Sequence, residues 1–105
     1  MTNEMSTLQA NETPIKLRGL HIEGRRWFQR TWGNTYHSVR IWIDGKQVCY
    51  LPFAYGYGEQ WLQTALDWLR KENLIEQGQN YGTMYLRETL GGTYSCIDVD
   101  RKREL

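Results

Sequence analysis

Two cysteines, two prolines and two histidines are all that the 105 residues hold. Cys49 and Cys96 lie far apart, and neither has a second Cys or a His at a zinc-like interval. That excludes a zinc-finger motif and a dense disulfide framework. Two reduced, half-buried thiols in a cytosolic protein are expected instead. No apolar run approaches the roughly 20 residues of a membrane span. The opening stretch "MTNEMSTLQANETP" lacks a basic and then an apolar region, so it does not read as a signal peptide. His21 and His37 stand in no Ser/His/Asp order and no HxxxH spacing, and the carboxylates are scattered. There is no Walker or Rossmann fingerprint. No catalytic residue, metal or cofactor is therefore assigned, and a non-enzymatic protein is expected.

What the chain does have is rings. Five Trp, seven Tyr and two Phe make 13% of it aromatic. Such side chains must supply much of the packing and some of the recognition. The net charge is only +1, but it is unevenly spread. Residues 16–55 hold seven basic side chains and two acidic ones, which leaves the rest of the chain at −4. An asymmetric molecule of this kind steers a charged partner toward one end.

The length fits one domain with its own core. Residues 1–14 are polar and aperiodic and read as a disordered tail. Residues 15–100 read as a single α+β domain, and 101–105, "RKREL", as a charged, frayed tail. "IKLRGLHIEG" alternates with a phase slip at Gly19, which suggests a bulged edge strand. "RRWFQRTW" reads as a second strand, with a turn at Gly33-Asn34. "YHSVRIWI-DG-KQVCYLPF" is the clearest signal. Asp-Gly is the preferred pair for a type I′ hairpin turn. Its register sets Ile43 against Lys46, Ile41 against Val48 and Val39 against Tyr50 on a core face. Trp42–Gln47 and Arg40–Cys49 fall on the other face.

"EQWLQTALDWLRKEN" is helical. Trp61, Leu62, Ala65, Leu66, Trp68 and Leu69 fall within an arc of about 160°, and Arg70 and Lys71 fall outside it. The helix is expected to end near Glu72 and Asn73, with Asp67 and Lys71 as an i,i+4 ion pair. "TMYLRETL-GG-TYSCIDVD" reads as a last hairpin, with Leu86 against Ile97, Met84 against Val99 and Arg87 against Cys96. The expected order is β-β-β-β-α-β-β. That gives an antiparallel sheet with one amphipathic helix across its apolar face.

Candidate binding residues follow from that frame. A Gly33-Asn34 loop of two or four residues puts Trp27 opposite Arg40. Trp27, Gln29, Tyr36, Ser38, Arg40 and Trp42 then share the face away from the helix. An odd loop sends Trp27 to the core. These residues either serve only as cross-strand pairs that support the sheet or, with Arg25, Arg26 and Arg30 beside them, suit a protein partner, a homodimer contact or stacked single-stranded nucleic acid. Clamping of a nucleotide is a further alternative. Arg40 facing Cys49, and Arg87 facing Cys96, would each favour a reactive thiolate.

The loop "LPFAYGYGEQW" reads as a sheet-to-helix connector. Pro52 ends the strand, Gly58 caps the helix, Glu59 sits in its first turn, and Phe53 plugs the core. Tyr55 and Tyr57 edge the binding surface.

"RRWFQRTWGNTYHSVRIWIDG" and "LPFAYGYGEQWLQTALDWL" together resemble segments of small proteins encoded by tailed bacteriophages and prophages. The resemblance covers roughly Arg25 to Leu69, and that class has no assigned activity. It implies a setting, the bacterial cytoplasm during infection or lysogeny. It also implies a binding role, against a host or defence protein or against nucleic acid, which fits an inhibitor or host-takeover factor.

Overall fold

In the computed structural model, which describes residues 17–105, the Asp-Gly turn forms as its chemistry requires. Asp44 and Gly45 have φ of 55° and 80°, both positive as a type I′ turn demands. They join β2 (Asn34–Ile43) to β3 (Lys46–Tyr55). Ile43–Lys46 and Trp42–Gln47 pair as the turn dictates, but Ile41 then pairs with Cys49. Val48 is the extra residue of a bulge, and the side chains from Cys49 to Leu51 change face. Cys49 and Leu51 turn inward, whereas Val48 and Tyr50 are exposed. Arg40 therefore faces Tyr50 and not Cys49. A second shift follows at Pro52 and Phe53, where proline has no N–H for the ladder.

The two strand candidates before this hairpin are one strand, β1 (His21–Gln29). Gly19 does not make a bulge within it. It sits at φ +62° in the turn before β1, where a Cβ would lie 2.9 Å from Asp44 Cα. Ile15 and Lys16 lie outside the described residues. The loop to β2 has four residues, Arg30 to Gly33, and is closed by Gly33 N–H donating to Gln29 C=O at 2.8 Å. Its centre is two positions earlier than a Gly33-Asn34 turn would set it. Trp27 therefore faces Tyr36, and Arg40 faces Glu23. The even loop keeps the parity, so Trp27, Tyr36, Ser38, Arg40 and Trp42 share the face away from the helix.

Helix α1 spans Gln60–Lys71. It ends where expected, in a Schellman motif with Asn73 at φ 60°. Asn73 N–H donates to Arg70 C=O and Leu74 N–H to Leu69 C=O, each at 2.9 Å. Trp61, Leu62, Ala65, Leu66 and Leu69 are buried against Ile22, Val39, Ile41 and Cys49. Trp68 is only half-buried. Gly24 opens the notch that Trp61 fills, since a Cβ there would stand 2.4 Å from the indole.

Arg70, expected on the solvent side, is buried. Its guanidinium donates to the carbonyls of Glu76 and Asn80 and lies 4.8 Å from the Tyr81 ring centre. It ties down the chain that leaves the helix. Asp67 accepts the Tyr81 hydroxyl, and among the described residues it makes no ion pair with Lys71.

The last hairpin does not form. Tyr85–Thr89 is a π-helical turn, with Leu90 N–H donating to Tyr85 C=O at 3.2 Å. Gly91, at φ +70°, leaves this turn. Gly92 packs where a Cβ would lie 2.7 Å from Leu86, so the Gly-Gly pair stops a helix and opens no hairpin. β4 (Thr93–Val99) then runs parallel to β1, from His21–Thr93 to Trp27–Val99. The sheet is mixed, in the order β3-β2-β1-β4, and not antiparallel. A parallel strand needs a long crossover, which α1 and the π-helical turn provide. Leu86 is buried as expected, but Met84 and Ile97 are exposed and Val99 is half-buried.

Residues 101–105 are not frayed. Lys102–Glu104 form a 3-10 turn, and Leu105 is buried on the outer face of the sheet.

Candidate functional site

The 3-10 turn changes what the outer face offers. Arg40 donates to the Leu105 carbonyl at 3.1 Å, and Tyr50 donates to the same oxygen at 3.2 Å. The Arg40 guanidinium also lies 4.5 Å over the Tyr50 ring. Arg25 donates to Glu23 at 3.0 Å and to the Glu104 carbonyl at 2.9 Å. Arg26 points to the helix side, where it donates to Asp98 at 2.7 Å and to the Gly58 carbonyl at 3.0 Å. The Asp98 bond is the main cause that raises the Arg26 pKa. Three of the four candidate arginines therefore hold the fold together. Arg30, in the β1–β2 loop, makes no ion pair among the described residues.

The candidate rings are brought partly together. Trp27, Tyr36 and Phe53 form a stack, with centroids 5.9 Å and 4.5 Å apart. Tyr55 meets Tyr36 edge-on at 5.8 Å. Phe53 thus lies on the outer face with Lys102 4.9 Å above it, and does not plug the core. The bulge at Pro52 is what turns it outward. Trp42 stands apart at the other end of the sheet, against His21 at 5.8 Å.

The residues left open cluster at one end. Phe28 is 55% exposed, Trp32 74%, Tyr55 64% and Tyr57 74%. All four lie where β1 ends, β2 begins and β3 runs into the loop before α1. Phe28, Arg30, Thr35 and Tyr57 line an open cleft of about 410 Å³. Tyr57 also walls a second cleft of about 740 Å³, with Tyr55, Glu59 and Tyr81. Phe28, Trp32, Glu59 and Tyr81 were missed as site residues. A Trp inside a glycine turn is the one signal in the sequence that marks Trp32.

The loop holding Tyr55 and Tyr57 is fixed from below. His37 is buried, with Nδ1 3.1 Å from the Gly56 carbonyl and Nε2 2.8 Å from the Thr64 hydroxyl. A carbonyl only accepts, so Nδ1 carries the proton and Nε2 accepts from Thr64. Burial lowers the pKa of His37, and the Gly56 bond opposes that in part. The imidazole is a neutral latch between loop and helix. Gly56 must be glycine here, at φ +148°, where a Cβ would lie 2.3 Å from Gln60 Cγ. Glu59, not Gly58, is the N-cap residue, and it makes no capping bond.

Neither thiol gains the activation that a facing arginine would give. Burial raises the pKa of Cys49, as Glu72 does to a smaller degree. Burial also raises Cys96, with Arg26 opposing. Both cysteines are free.

No protein-family model, curated protein or solved structure gives a significant match to the chain.

Proposed function

We propose that this chain is a small binding protein that engages a protein partner through the ring-rich end of its sheet. The observation that carries this reading is the group Phe28, Trp32, Tyr55 and Tyr57, more than half exposed around Arg30, which makes no ion pair among the described residues. Tyr, Trp and Arg are the side chains that dominate interface energetics. The phage-like segments Arg25 to Leu69 contain this whole group, so a host or defence protein in the bacterial cytoplasm is the partner proposed. The action is inhibition or takeover by binding, without catalysis.

The same observations give less support to single-stranded nucleic acid. Phosphates need free cations beside the stacking rings. Arg25, Arg26 and Arg40 are already engaged within the fold.

Affinity capture from bacterial lysate tests the reading. One stoichiometric partner should be retained at several salt concentrations and lost with Trp32→Ala. Capture of nothing stoichiometric would overturn it. So would tryptophan fluorescence that responds to oligonucleotides while no protein is retained.

A further inference from the structure

We propose that the cleft between the Tyr55–Glu59 loop and Tyr81 receives a cationic side chain, arginine or lysine, of the protein partner. This rests on the binding reading above and adds the chemistry of what is bound.

Tyr55, Tyr57 and Tyr81 line it with Glu59, Gln60 and the apolar Leu62. The Tyr55 ring itself leans on Tyr36 at the outer face, so Tyr57 and Tyr81 are the rings offered to the cleft. No lysine or arginine lines it. Aromatic faces carry negative quadrupole potential, and several around one cavity select organic cations. Glu59 makes no ion pair among the described residues, so a carboxylate stands at the mouth ready for one. Gln60 donates its amide N–H to Gln63 at 3.0 Å, which leaves its own Oε1 as an acceptor.

Tyr81 is polarised in the same sense. Its hydroxyl donates to Asp67, leaving the phenol oxygen to accept. That bond is the main cause raising the Tyr81 pKa, so the ring stays neutral at ordinary pH. The wider field agrees. Residues 56–100 hold seven carboxylates and three cations, against the basic excess of the sheet hairpins. An anion in the cleft would face the Glu59 carboxylate beside Tyr57 and Tyr81, with no cation in the lining to receive it. An apolar group would strip water from Glu59 and Gln60 with nothing in return.

The described residues already make this contact four times, once between Arg70 and Tyr85 at 5.5 Å. Arg40 sits over Tyr50 at 4.5 Å, Lys102 over Phe53 at 4.9 Å and Arg70 over Tyr81 at 4.8 Å. Arg70 is buried and bound to two main-chain carbonyls, so it neutralises part of the field behind Tyr81 without occupying the cleft. Among the described residues, Tyr55 and Tyr57 have no such internal cation.

The test is an amide NMR titration with N-acetyl-arginine amide and N-acetyl-lysine amide, with N-acetyl-norleucine amide as the neutral control. Saturable shifts are expected at the Gly56, Gly58 and Gly82 amides with the cationic probes alone. Glu59→Gln should weaken them about fivefold, the size of one partly exposed charge interaction. Tyr57→Leu should weaken them to a similar degree, with the thermal midpoint unchanged because Tyr57 is exposed. An equal response to norleucine amide, or one indifferent to Glu59→Gln, would overturn the inference. No response at all would do the same. If the cationic probes fail while lysate capture still depends on Trp32, the cleft assignment falls and the binding reading stands.

Discussion

The two faces of this sheet are closed by different physics. The inner face is shut by α1 through apolar contact, with Ile22, Val39, Ile41, Leu62, Leu66 and Leu69 all at 1% exposure or less. Its one imidazole is neutral and doubly bonded. The outer face is rich in rings and arginines and is shut by the short segment 102–105, whose carbonyls take the Arg25 and Arg40 guanidiniums. A surface that reads in sequence as a recognition platform is thus partly covered, with Trp27, Tyr36, Arg40 and Trp42 half-buried. The most exposed rings, Phe28, Trp32, Tyr55 and Tyr57, lie instead at the open end, each more than half exposed.

The largest effects should come from the inner face. Leu66→Ala should cost about 3 kcal/mol, transfer and cavity terms together. Gly24→Ala should cost a similar amount, about 3 kcal/mol, because its methyl must displace the Trp61 indole. Urea unfolding followed by circular dichroism measures both. The comparison breaks if either costs less than a change on the outer face.

Arg40→Met comes next, at about 1.5 kcal/mol for a charged donor removed from a main-chain carbonyl. It should also speed hydrogen exchange at the Leu105 amide, which donates to Lys102 C=O. An unchanged exchange rate would show that the outer cover is held by something other than its arginines.

His37 sharpens the contrast through pH. Its folded pKa lies below its ordinary value near 6.5, so the unfolded chain takes up a proton first as pH falls. Its contribution is complete above about pH 6.5 and declines below it. The unfolding midpoint should fall between pH 7 and pH 5, with a shallower slope in His37→Gln. Equal slopes would deny His37 its part in the latch.

The smallest stability effect belongs to Trp32→Ala, within about 0.5 kcal/mol of the parent. That same variant should lose the captured partner, which separates surface from lining most cleanly.

The Asp44-Gly45 turn, the α1 stripe and the helix end near Asn73 were legible because each depends on neighbouring residues alone. The bulge at Val48 was not, since nothing in "KQVCY" marks the residue that drops out of pairing. One unpaired residue was enough to exchange Val48 for Cys49 in the core. The Gly91-Gly92 pair was ambiguous by nature, because positive φ serves a hairpin and a helix stop equally. Sequence spacing could not show that β4 would pair with a strand 72 positions earlier. Of the candidate site, Arg30, Tyr55 and Tyr57 line the two clefts at the open end. Arg25 and Arg40 were taken up by residues 104 and 105, a long-range contact that no local pattern announces.

That parallel pairing sets an order of assembly. β1, β2 and β3 are joined by short connections and can associate as soon as they exist, whereas docking β4 on β1 must close a long loop first. Until then the free edge of β1 stays open to any extended chain nearby. The slow step of folding should be the arrival of β4. The yield of protein at high expression should depend on how fast Thr93–Val99 reaches that edge.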